Sequence, residues 1–254
     1  MFRRFAALVV LGMFLALSAM AETEIRGWNK QDKWQYLQLG QYMYEKDGTM
    51  APVLWRILYV ENDTALMITE NILDLVQPVY VDNEKEYKAK KGIKPASMAE
   101  TDIPEWFDTV MWPVLIGDDP MGKAFMDLGE GKLFCMPKEE WTKTEYGFTK
   151  NVKPSSTRIA YPTPYCQYKK MYDWSSTIPT WENGIKGSPY WVSTFRTGMG
   201  FLQIVGVNGH LSWAGAGRPN VGIRPAAQLD LTLCRVKSGE GTVTAPWILE
   251  YAGE

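Results

Sequence analysis

The sequence predicts a single α+β domain: a twisted, mainly antiparallel sheet with one or two helices and long loops. Three observations carry this. Hairpin-turn dipeptides sit near both ends of the chain, at Asp47-Gly48 and Asn208-Gly209. One stretch between them, "TDIPEWFDTVMWPVLIG", repeats its apolar residues at helical rather than alternating spacing. The length also lies within reach of one elaborate β-containing domain, so no second domain is required.

The elements follow in order. Strand-like alternation begins at Tyr36–Tyr44, and "EKDGT" turns the chain. Two β-rich runs, Val53–Val60 and Ala65–Thr69, are joined at Asn62-Asp63, the pattern of a hairpin. The polar stretch Val81–Thr101 reads as a charged, solvated loop. Ile103, Trp106, Phe107, Val110, Met111 and Val114 then fall at helical spacing after a capping Thr-Asp and an early proline, and Pro113 should end that helix. A second short helix is expected over Met121–Leu128, a short buried strand over Lys132–Met136, and a helical turn after it. Residues 151–186 lack a clean period and are expected to form long surface loops. Strands are expected at Tyr190–Phe195, Phe201–Val207 and His210–Trp213, with Val221–Leu231 closing the sheet. The first strands and the last should share one core, which would bring the chain ends together.

Residues 1–21 fit an export signal. Arg3 and Arg4 precede an apolar run, and Ala19-Met20-Ala21 offers a small-x-small cleavage site. The run is too short for a spanning helix. Cleavage would leave residues 22–254, a 233-residue chain carrying 25 Lys and Arg against 29 Asp and Glu, for a formal charge of −4. The mature protein is therefore expected to be secreted or periplasmic. The mixed, mildly acidic balance argues against nucleic acid as a partner, and no later segment predicts stable membrane insertion. Cys135, Cys166 and Cys234 allow three disulfide pairings, yet a core of this size needs none.

Several chemistries lose their residues. His210 is the one histidine, so histidine-cluster metal sites are excluded. A Ser or Cys triad would require His210 as base, but it follows a tight turn, where an exposed strand residue is the simpler expectation. No C-x-x-C pair offers a zinc site, and no cofactor is implied. The adjacent Asp118 and Asp119 could serve as paired glycosidase acids, although acids in a "GDDP" loop usually shape a turn.

Aromatic side chains remain. Trp174, Trp181, Trp191 and Trp213 fall within 40 residues, beside Tyr172 and Tyr190. Indole faces stack on sugar rings, and flanking polar groups bond hydroxyls. Trp55 and Trp191 lie in apolar strands and are expected to be structural, as are Arg56 and Arg224. A candidate ligand site is placed at Trp181, Trp213, Arg218 and Asn220, around the glycine-rich turn "WAGAGRPN".

Three landmarks recur in order: "LGQYMYEKDGTMAPVLWRILYV", then "GKLFCMPKEEW" with "RIAYPTPYC", then "YWVSTF…VNGHLS…VGIRPAAQLDL". Together they resemble a bacterial family of exported and surface-associated proteins known as domain of unknown function 6273. Trp55 and Arg56 match its W-R-V-L strand, and Glu139 and Glu140 its E-E turn. Tyr190, Trp191 and Ser193 fall on its Y-W-L-R-S strand, where Val192 replaces Leu and Ser193 stands at the usual Arg. Arg196 lies near enough to take that arginine's place. Gly222, Arg224, Pro225 and Ala226 match the terminal G-V-R-P-A, and "TDIPEWFD" loosely matches the family's helix. The likeness spans residues 36–231 and implies a fold similar to C-type lectins and formylglycine-generating enzymes. Cys234 stands without the second cysteine that the oxidase chemistry uses. The calcium-binding triplets of the lectins are missing, though Glu182, Asn183 and Asn220 offer loop ligands. The expected function is a non-catalytic module binding a glycan or another surface ligand. The alternatives are an exported hydrolase or formylglycine-type oxidase, and a structural or adhesion module.

Overall fold

The computed structural model describes residues 25–78, 97–129, 131–169, 187–196, 200–218 and 220–253. Eleven strands among these build two sheets. In chain order they are β1 (Gln35–Met43), β2 (Met50–Glu61), β3 (Thr64–Thr69), β4 (Asp74–Leu75), β5 (Tyr190–Arg196), β6 (Phe201–Val205), β7 (Leu211–Gly215), β8 (Gly222–Ile223), β9 (Ala226–Asp230), β10 (Cys234–Ser238) and β11 (Trp247–Tyr251). The first sheet runs β10-β11-β1-β2-β3-β9 and the second β4-β8-β5-β6-β7. All pairings are antiparallel except β1 with β11 and β5 with β8. The chain is α+β, and the expected antiparallel pairing is divided between two sheets.

The hairpin at Asn62-Asp63 forms because both residues take positive φ, 48° and 57°. That pair of left-handed conformations is what a two-residue turn between right-twisted strands demands. The run "VLWRILYV" reads as continuously apolar because β2 is covered on both faces. Val53, Trp55 and Ile57 enter one apolar cluster, Leu58 the other. A register shift between Ile57 and Tyr59 lets both Ile57 and Leu58 be buried.

The first cluster also takes Ile103, Phe107, Met111 and Leu115 from the helical segment 103–115, called α1, with Trp191, Leu202 and Ile204 from the second sheet. Trp141, Tyr146, Phe148, Tyr190, Val192 and Val205 build the second.

Helix α1 is α-helical over Ile103–Trp106, π-helical over Phe107–Met111 and α-helical again over Trp112–Leu115. It passes through Pro113 instead of ending there. Proline lacks an N–H and crowds the carbonyl four residues back. The wider π turn, in which the Trp112 N–H bonds the Phe107 carbonyl, accommodates it. The expected helix over Met121–Leu128 is a 3-10 turn at Pro120–Lys123, after which Phe125 bridges Leu229. The expected strand over Lys132–Met136 is a single bridge, Phe134 to Ala226. Helix α2 (Pro164–Tyr168) lies in the stretch read as loop, capped by the Thr163 hydroxyl.

The segment read as one closing strand, Val221–Leu231, is two. β8 belongs to the second sheet and β9 to the first, and Arg224-Pro225 is the crossing. Thr69 pins it twice: its N–H bonds the Pro225 carbonyl at 3.1 Å, and its carbonyl accepts from Arg224 Nε at 2.6 Å. Strands β10 and β11 carry no sequence-based expectation. β11 lies beside β1, with Leu37 opposite Trp247, so the first and last described strands share one core.

Gly209 closes the β6–β7 turn with φ of 77°, and a Cβ there would collide with the Ser155 carbonyl oxygen. Backbone cannot yield as a side chain does. Gly209→Ala is therefore expected to cost about 2–4 kcal/mol from positive-φ strain and overlap, read as a fall in thermal midpoint. An unchanged midpoint would show that the turn relaxes freely.

Candidate functional site

Helix α1 divides its surface into three faces. Ile103, Phe107, Met111 and Leu115 are buried. Pro104, Asp108 and Trp112 line one cleft, while Glu105, Trp106, Thr109 and Val110 line another. Residues three and four apart share a helix face, so both rows follow from the helix itself.

The first cleft has a volume of about 830 Å³. Opposite the helix it is walled by Asp127, Gly129, Gly131 and Lys132. Asp127 Oδ1 accepts from the Gly129 and Gly131 N–H groups at 2.8 and 3.3 Å, which shapes that loop. Lys132 Nζ donates to the Gly122 carbonyl at 2.7 Å and lies 4.8 Å from the Trp112 ring centroid. The Trp112 ring also forms a T-shaped pair with Phe125, at 5.0 Å between centroids and 85° between planes. This indole is committed to internal contacts.

The second cleft, about 600 Å³, lies between α1, the end of β4 and the C-terminus of α2. Leu75, Val76 and Gln77 form its floor. Trp191 Nε1 donates to the Val76 carbonyl at 2.8 Å and fixes that floor from the core. Asp102, Glu105, Trp106, Thr109 and Val110 form one wall and Lys169 the other. Phe107 anchors the helix in the core and leaves Trp106 half-buried against the cleft, their rings 5.8 Å apart. Among the described residues no cation covers the Trp106 ring.

The Lys169 wall is held by a buried carboxylate. Asp74 accepts from Lys169 Nζ at 2.6 Å and from Tyr42 Oη at 2.8 Å. Burial works against the Lys169 charge, but Asp74 overcomes it and holds the ammonium above its ordinary pKa. Burial first, and Asp74 second, push the Tyr42 hydroxyl up, so Tyr42 stays a donor.

Of the residues expected to bind ligand, Trp181 lies outside the described residues, as do Trp174, Glu182 and Asn183. Trp213 sits half-buried on β7, the edge strand of the second sheet, opposite Gln203. Arg218 and Asn220 follow in the turn, both half-buried. The two clefts along α1 are lined by other residues. Sequence reasoning passed over Trp106, whose signal was present: the apolar residues Ile103, Trp106, Phe107, Val110, Met111 and Val114 span an arc wider than one buried face. The outer row of that arc stays accessible, with Val110 44% and Val114 37% exposed.

The residues expected to be structural are inside. Trp55 is fully buried and donates from Nε1 to the Leu39 carbonyl. Arg56 pairs with Glu70 through Nε at 2.7 Å and Nη2 at 2.5 Å, beneath the Trp34 ring. Arg224 Nη1 meets Tyr190 Oη at 3.3 Å, and its Nη2 lies 3.8 Å from Glu70 Oε2. A third buried guanidinium had no sequence-based role. Arg158 donates to the carbonyls of Gly209, Trp141, Thr149 and Lys153.

The catalytic candidates read from the sequence, His210, the cysteines and Asp119, each have structural engagements. His210 is half-buried, not exposed, and its Nδ1 is bonded to Asn208 Oδ1 in its own turn. Burial, and then Arg158, lower its pKa, which keeps it neutral at pH 7. All three cysteines are free. Cys135 lies in the first apolar cluster and Cys166 in the second, and burial pushes both thiols up. Cys234 is pushed up to about 12, again by burial, with Asp230 adding. Thiols so hard to ionise make poor nucleophiles. Asp119, the second acid of "GDDP", caps the 3-10 turn by accepting from the Met121 N–H at 2.9 Å. No helix among the described residues is long and apolar enough to cross a membrane.

Comparison with protein-family models, with curated proteins and with solved structures found no match for this chain.

Proposed function

We propose that the protein is an exported, non-catalytic module that binds a glycan, and that the cleft beside Trp106 is the binding site. The observation that carries this is an indole bordering a cleft of about 600 Å³, ringed by Gln77, Asp102, Glu105, Thr109 and Lys169. An aromatic face takes the apolar face of a sugar ring, and the surrounding donors and acceptors take its hydroxyls. The floor is fixed by Trp191 and the wall by the Asp74–Lys169 pair, so the site is largely pre-formed. Export rests on residues 1–21. The likeness to a family of exported, lectin-like domains points the same way.

The test is a glycan array followed by calorimetry on the mature chain. Trp106→Ala, checked for folding by its thermal transition, should weaken binding at least tenfold, the order expected for removing a central aromatic contact. Trp213→Ala tests the β7 edge instead. If Trp213→Ala abolishes binding and Trp106→Ala does not, the site belongs around Trp213, Arg218 and Asn220. Absence of binding by the wild type overturns the glycan reading. Release of new reducing ends from a bound glycan would replace the binding module by a hydrolase.

A further inference from the structure

We infer that this cleft selects sugars bearing a protonated amine over their N-acetylated or neutral counterparts. The inference rests on the glycan reading and adds a charge preference to it.

Its basis is how the charges around the cleft are spent. Lys169 is the cation of the wall, and its ammonium is bound to Asp74 at 2.6 Å. Asp74 is nearly inaccessible, with 4% of its side chain exposed, and Tyr42 donates to its other oxygen at 2.8 Å. The Asp74–Lys169 pair therefore neutralises itself and offers little to an anionic ligand. Glu105 is different. It stands exposed on α1 one residue before Trp106, on the cleft side, and among the described residues no cation pairs with it. The rim thus carries, at Glu105, a negative charge that Lys169 does not offset. Trp106 adds to this, because an indole face attracts a cation through its quadrupole. A sugar stacked on Trp106 would place a ring substituent within reach of the Glu105 carboxylate. An ammonium there gains both the ring and the carboxylate, while an acetamide gains neither charge effect. A sugar carboxylate would meet Glu105 as a like charge.

Both contributions are modest at exposed positions, and together they amount to about a tenfold preference. They are also screened, because the Debye length falls from about 10 Å at 0.1 M salt to about 3 Å at 1 M. A preference arising from shape alone would not follow salt in this way.

The experiment titrates the mature chain with a glucosamine hexamer and with an N-acetylglucosamine hexamer at pH 6, in low and in high salt. The glucosamine hexamer should bind about tenfold more tightly in low salt, and the ratio should shrink in high salt. Glu105→Gln, an isosteric change at an exposed site, should bring the two oligomers within about twofold of each other. Equal binding of both by the wild type, or preference for the N-acetylated oligomer, overturns the charge selection and leaves the glycan site standing. A preference that survives Glu105→Gln removes it from this cleft. Failure of both oligomers and of the glycan array overturns the glycan reading and the inference together.

Discussion

Arg158→Met is expected to cost about 4 kcal/mol and to lower the thermal midpoint by about 12 °C. The guanidinium is fully buried, yet among the described residues no carboxylate lies against it. It serves instead as a hub of donors. Nε reaches the Gly209 carbonyl at 2.7 Å, Nη1 the Trp141 carbonyl at 3.1 Å and both Thr149 oxygens at 3.0 and 2.9 Å, and Nη2 the Lys153 carbonyl at 2.5 Å. These carbonyls lie on connections that have no strand partners, and one guanidinium fork gathers them. The Arg158 carbonyl accepts from Tyr190 Oη, which ties the hub to the second sheet. Methionine fills much of the same volume and strands every acceptor, so the cost arises from unpaired carbonyls and not from a cavity. Arg158→Lys, with a point charge in place of a fork, should recover about half of the loss. A loss under 1 kcal/mol for methionine, measured by thermal and denaturant unfolding, would mean that water replaces the hub.

The sequence made the hairpins legible because turn chemistry is local. Asn62, Asp63 and Gly209 need left-handed conformations, and their residue types announce them. Helix α1 was legible from its period, but its end was not. The π turn that carries it past Pro113 depends on the core-facing row Ile103, Phe107, Met111 and Leu115, which holds the helix down on both sides of the proline. The partition of Val221–Leu231 between two sheets was hidden for a similar reason. It is decided by where Arg224 and Pro225 meet Thr69, a partner 155 residues away for the guanidinium contact. Phe125 and Phe134 each make one bridge to β9, a contact too brief to show as a strand pattern.

The candidate site was less legible than the fold. Aromatics cluster densely between Trp174 and Trp213, and density drew attention there. What distinguishes Trp106 is neither density nor a motif. It is the geometry of a helix buried on one row, with the neighbouring row left beside a floor formed by Leu75–Gln77. That floor comes from a segment about 30 residues earlier in the chain, so no local pattern joins the two. The Asp74–Lys169 wall spans 95 residues. The three buried arginines show the same limit. All three stand in landmark stretches, yet Arg158, in "RIAYPTPYC", carries the largest set of carbonyls with no local sign of it.

Glu70→Gln is expected to cost about 3 kcal/mol at pH 7, and the loss should depend on pH in a defined direction. Glu70 follows β3 and accepts from Arg56 on both oxygens, with Arg224 Nη2 at 3.8 Å from Oε2. One carboxylate thus serves two buried guanidinium groups. Glutamine keeps the shape but leaves both cations without a counter-charge. Arg56 retains the Trp34 ring at 4.2 Å and the Thr157 carbonyl at 3.3 Å, so its side chain should stay ordered while its charge goes uncompensated. Burial pushes the Glu70 carboxyl up in pKa, but Arg56 and then Arg224 outweigh it, and the net shift is below the ordinary 4.5. A carboxyl depressed in the folded state binds its proton more readily when unfolded. Its stabilisation is therefore fully present above about pH 4.5, and is lost as pH falls through the folded-state value. The difference between wild type and Glu70→Gln should accordingly be constant from pH 7 to about 5 and shrink in stronger acid. Denaturant unfolding of both proteins across that range measures it directly. A difference that stays flat into strong acid would show that glutamine fails for lost geometry and not for lost charge. No difference at pH 7 would mean that the two guanidinium groups do not need Glu70.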